Sequence, residues 1–71
     1  MKVYLLKTKG IGSIPDHIQV RAEDHSIIGY FKASNPSSGL KEIGIADPKR
    51  QEQAVAIFAG LEYGKIVSAN I

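Results

Sequence analysis

The 71-residue sequence contains no cysteine. That removes disulfides as a brace for the fold, and with them thiolate metal sites and thiol nucleophiles. It also lacks any apolar run of membrane-spanning length. The start Met1-Lys2 leads only into Val3-Tyr4-Leu5-Leu6 before Lys7 interrupts it, which is not a signal peptide. The chain therefore reads as soluble and cytoplasmic. Nine Lys and Arg against seven Asp and Glu leave a charge of +2, a surplus too small to mark a nucleic-acid binder by itself. Repeats and low-complexity tracts are missing as well. With 44% hydrophobic and 23% charged residues, the composition is that of a folded chain rather than a disordered one. A chain of this length makes a single domain, residues 1–71, and hides only about 60% of the surface its unfolded form exposes. Its core must be thin. With disulfides excluded, a structural metal or a partner subunit are the remaining usual supports.

What is present is organised around Asp47 to Tyr63. Asp47 can cap a helix and Pro48 has its φ preset for the first helical position, so the spacing predicts an amphipathic helix over 47–63. At about 100° per residue, Phe58 lies mid-face with Ala54, Val55 and Leu61 beside it and Ile57 on the flank, while Lys49, Glu52, Gln53 and Ala56 point away. Gly64 reads as the helix stop, followed by a strand from Lys65 to Ile71. Earlier in the chain, Lys2 to Thr8 is apolar on both faces and suits a central strand. His17 to Ala22 and Ile27 to Ala33 alternate as a hairpin joined by Glu23-Asp24-His25-Ser26, with Ile27, Gly29 and Phe31 on one face of the second strand. Ser34 to Gly39 reads as a mobile loop and Leu40 to Ile45 as a short strand weakened by Gly44. The fold class expected is α+β: a small, mainly antiparallel sheet of four to five strands with one amphipathic helix on one face. The other sheet face has nothing to cover it.

No catalytic constellation emerges. The hydroxyls of Thr8, Ser13, Ser26, Ser34, Ser37, Ser38 and Ser68 lie in no nucleophile-elbow pattern. His25 beside Asp24 has the makings of an oriented base, but a solvated turn is the simpler reading. His17 and His25 with Asp16 or Asp24 match no metal-ligand spacing, so neither metal nor cofactor is expected. Lys9-Gly10-Ile11-Gly12-Ser13 lacks the third glycine of a dinucleotide loop and has a proline where the helix should begin. Lys49 and Arg50 at the start of the helix make a candidate anion site, although Asp47 competes for the same N–H donors. Arg21, Tyr30 and Lys32 form a small basic and aromatic group of the kind that stacks nucleic-acid bases. Ala56 and Gly60, with Gln53 a turn earlier, give the outer side of the helix a small-residue face that another backbone can approach closely.

Lys49-Arg50-x-x-Gln53 followed by Gly64-Lys65-Ile66-Val67-Ser68 resembles the end of the small phycobilisome linker domain, a family that joins a basic, Gln-containing helix to a Gly-Gly-Lys-Ile-Val strand. Met1 to Lys7 and Tyr30-Phe31-Lys32 fall in matching places, so the likeness touches about half of the chain. Tyr63 replaces the first glycine, the run of arginines is missing, and Ser34 to Ala46 reads as an insertion. The resemblance implies a non-catalytic domain wedged between larger subunits, with Lys65 in the matching strand. The reading that follows is a non-enzymatic interaction module, a homodimer or larger or else docked on another protein. A single-stranded nucleic-acid binder is the alternative, and a metal- or histidine-dependent enzyme subunit is the third.

Overall fold

The computed structural model describes all 71 residues. Four strands, β1 (Lys2–Thr8), β2 (His17–Arg21), β3 (Ile27–Lys32) and β4 (Ile66–Asn70), form one antiparallel sheet in the order β3-β2-β1-β4. Two helices, α1 (Pro36–Glu42) and α2 (Pro48–Ala59), lie between β3 and β4 in sequence. β1 is internal, as its two apolar faces require, with Leu5 opposite Val20 on one side and Val67 on the other.

One side of the sheet is sealed. Val3, Leu5, Ile18, Val20 and Phe31 point to a core completed by Leu40, Ile45, Ala54, Phe58 and Leu61, so both helices cover the same face. Phe31 meets Phe58 with ring centroids 5.7 Å apart and planes inclined at 52°, a tilted contact that adds to the gain from burial. The opposite face contributes no residue to this core.

The segment from 34 to 45 departs from expectation in both halves. Instead of a mobile loop and a strand, it forms α1, which brings the helix count to two and the strand count to four. Asn35-Pro36 starts this helix with proline in the first turn, as Asp47-Pro48 starts α2, but the run Ser37-Ser38-Gly39 offers no apolar stripe to announce it. Its stability comes from contact rather than propensity. Gly39 lies flat on Phe31, where an added Cβ would fall 2.2 Å from the ring. Gly44, read as a flaw in a strand, is in fact the helix stop. It has φ +95°, its N–H donates to the Lys41 carbonyl, and the Ile45 N–H donates to the Leu40 carbonyl at 2.8 Å. That pair of bonds is a Schellman motif, and it turns Ile45 back into the core beside Leu40.

α2 starts as expected, with Asp47 Oδ1 accepting the Lys49 N–H at 3.3 Å, but it ends at Ala59 rather than Tyr63. Gly60 caps it with φ −90°, so the glycine lies at the helix terminus and not in its interior. Gly64 does have a left-handed φ of +77°, yet it serves the entry to β4, where its N–H donates to the Lys7 carbonyl. Ala54, Phe58 and Leu61 are buried as predicted, whereas Val55 is 37% exposed and belongs to the outer surface. In the hairpin, Val20 pairs with Gly29 but Arg21 pairs with Ile27, so Ile28 is a bulge. The bulge moves Ile27 off the Gly29 and Phe31 face and onto the open one, beside Arg21.

The Gly39 contact makes a prediction opposite in sign to helix propensity. Alanine at an exposed helical glycine gains about 1 kcal/mol. Here Gly39→Ala should instead lose about 1–3 kcal/mol through overpacking against Phe31, read as a lower urea midpoint at unchanged m-value.

Candidate functional site

Two surfaces remain after the core is formed. The first lies between the C-terminal end of α2 and β4. Ala56, Ile57 and Gly60 from the helix, Leu61 and Glu62 from the turn, and Lys65 and Val67 from the last strand line an open groove of about 510 Å³. The predicted small-residue pair thus forms one wall of a largely apolar trough. Gln53 lies one turn away on the same side of α2, exposed but outside the groove. At the rim, Lys65 Nζ and Glu62 Oε2 are 2.6 Å apart with both side chains about two-thirds exposed, so the pair marks position more than it adds stability.

Beside the groove runs a free sheet edge. β4 pairs only with β1. Because the Ile71 N–H donates to the Met1 carbonyl, the alternation of an antiparallel ladder turns the odd-numbered residues of β4 inward and leaves the N–H and C=O of Ile66, Ser68 and Asn70 at the outer edge. No proline or bulge interrupts this edge, and Ile66 and Val67 are 50% and 39% exposed.

The second surface is the open sheet face. Arg21, Tyr30 and Lys32 share it, spread along the hairpin with Tyr30 opposite Gln19 and Lys32 opposite His17, and the structure adds partners for the ring and the guanidinium. His17 stacks on Tyr30 with centroids 4.7 Å apart and planes within 6°. His25, held at φ +69° in the β2–β3 turn, stacks on Tyr4 at the same distance. Arg21 donates from Nε and Nη2 to Gln19 Oε1, the shorter bond 3.0 Å. The His17 ring is fixed by its Nδ1–H donating to the Pro15 carbonyl at 2.8 Å. The two imidazoles therefore serve different tyrosines, and nowhere do three His, Asp or Glu side chains gather in a group that could hold a metal.

The α2 N-terminus does not assemble the anion site. Asp47 takes the Lys49 N–H, and Arg50 Nη2 reaches away to the Ile71 carbonyl at 2.9 Å.

One polar cluster has no signature in the sequence, because its members are 47 residues apart. Asp16 Oδ2 accepts the Tyr63 hydroxyl at 2.6 Å while Oδ1 accepts the Gly10 N–H at 2.6 Å, and Lys7 Nζ lies 5.1 Å from the centre of the Tyr63 ring. The carboxylate ties the loop before β2 to the turn before β4. Gly10 fits there only as glycine, since a Cβ would lie against the Ile14 carbonyl oxygen. The Gly10 N–H, the Tyr63 hydroxyl and the charges of Lys7 and Lys9 hold Asp16 below its ordinary value of 3.8. In return, the bond to Asp16, desolvation and the nearby negative charge raise Tyr63 above 10.0.

No family model, curated protein or solved structure matches this chain. No helix is long and apolar enough to cross a membrane.

The clamp sets a pH dependence. Asp16 is depressed in the folded state, so its contribution is full above pH 3.8 and is lost as pH falls through the lowered value. Tyr63 is raised, so its contribution is full below pH 10.0 and is lost as pH rises through the higher value. Urea unfolding across this range should place Tyr63→Phe below the parent between the two limits and bring the curves together at both ends. A constant offset at every pH would mean the hydroxyl–carboxylate bond contributes nothing.

Proposed function

We propose that this chain is a non-enzymatic assembly module that pairs with a second copy of itself through the outer edge of β4. The observation that carries the reading is the coincidence of an unblocked strand edge with a groove walled by Ala56 and Gly60. Two β4 strands related by a twofold axis can exchange the hydrogen bonds of their outward amides and carbonyls, extending each four-stranded sheet into one of eight. The same axis carries the two α2 helices toward each other on one face, and the absence of bulk at Ala56 and Gly60 is what lets them approach. Charge suits a self-complementary contact. The groove holds one acid and one base, Glu62 and Lys65, so each can face its opposite on the second copy. A core of ten buried residues without cross-links gives a reason for such support, because covering Val67 and Ile57 adds apolar burial that one copy cannot supply. The resemblance to the phycobilisome linker implies a role of the same non-catalytic kind.

Light scattering across a concentration series is the measurement. The parent chain should run as a dimer whose dissociation constant rises by at least about tenfold, or about 1.4 kcal/mol, in Ala56→Arg. Ser68→Pro should act likewise, since it removes an outward N–H rather than one bonded to β1. A parent chain that stays monomeric at every concentration, or a dimer indifferent to both substitutions, overturns the proposal.

A further inference from the structure

We propose that the open face of the sheet binds single-stranded nucleic acid, with bases stacking on its two tyrosine–histidine pairs and phosphates meeting Arg21, Lys32 and Lys2. The charge distribution is the first support. Although the whole chain carries only +2, all seven carboxylates lie in loops, turns or helices and none in a strand. The strands of the open face therefore present Lys2, Arg21 and Lys32 with no acid among them, while Glu42, beside Tyr30 and Lys32, and Asp24, beside His25, stand at its margin. The one ion pair of the molecule, Lys65 with Glu62, involves none of these cations.

The second support is the geometry of the rings. Tyr30 is 56% exposed and His25 is also exposed, so each stack ends in a ring with an open face on which a base can continue it. Arg21 stands between the stacks, opposite Tyr4 in the sheet, and is oriented by Gln19. Beyond Tyr30 lies a polar hollow of about 270 Å³ shared with Lys32, Asn35, Ser38 and Glu42, which offers amide, hydroxyl and carboxylate groups to the edge of a base stacked on the ring. A duplex, whose bases are stacked on each other, cannot use these rings. The surface lies within one chain, so it does not depend on the β4 contact proposed above.

The test is fluorescence anisotropy with labelled 12-nucleotide single-stranded RNA and DNA, the corresponding duplex, and polyglutamate as a peptide polyanion. Single strands should bind, with the logarithm of affinity falling about twofold as steeply as the logarithm of salt rises, as about three phosphate contacts require. Tyr30→Ala should weaken binding about tenfold or more. Lys32→Glu should weaken it and flatten the salt slope. Both side chains are exposed, so unchanged circular dichroism should accompany the loss, and Ala56→Arg should bind as the parent does even if it is monomeric. No binding of either single strand at 20 mM salt and about 100 µM protein overturns the proposal, these being generous conditions for even non-specific contacts. So does equal binding of polyglutamate or duplex with no effect of Tyr30→Ala.

Discussion

Phe31 is the side chain on which the packing turns. It projects from the edge strand β3 to the covered side of the sheet, where α1 presses a glycine against one part of its ring and α2 brings Phe58 to another. Because the ring occupies the space that a side chain at position 39 would need, α1 can lie close to the sheet despite a composition poor in helix formers. The Schellman turn at Gly44 then sends Ile45 inward, so that Leu40 and Ile45 fill the core between the helices. The thinness expected of so short a chain is met in this way, with every large buried group on one side.

The parts of this arrangement that could be read from the sequence are those carried by local chemistry. β1 announces itself by apolar residues on both faces, β2 by strict alternation, and α2 by Asp47-Pro48 ahead of a stripe of Ala54, Phe58 and Leu61. α1 could not be read in the same way. Its seven residues hold a single large apolar side chain, Leu40, and its glycine is chosen by a ring elsewhere in the chain. The end of α2 is not legible in the sequence because Gly60 and Gly64 are both plausible stops, and what separates them is the bond from the Gly64 N–H to the Lys7 carbonyl, which gives Gly64 to the entry of β4. The bulge at Ile28 likewise leaves no trace in an alternating pattern, since the run Ile27-Ile28 reads equally well in either register.

The candidate surfaces divide along the same line. The placing of Arg21, Tyr30 and Lys32 on one face follows from strand periodicity, and the outward position of Ala56 from that of a helix. The contribution of β4 to the groove, the stacking of each histidine on its own tyrosine, and the bond between Asp16 and Tyr63 all require strands that are distant in sequence to be brought together. Electrostatics shows the same difference. A net charge of +2 is uninformative, while the absence of carboxylates from every strand leaves the charged side chains of the strands all cationic.

The bulge in β3 has a further consequence for how many chains can join. The two margins of the sheet are unlike: β4 is regular, whereas β3 is interrupted at Ile28. If two copies pair through β4 as proposed, the margin left at each end of the joined sheet is the interrupted one, and a bulged edge is a poor template for a further strand.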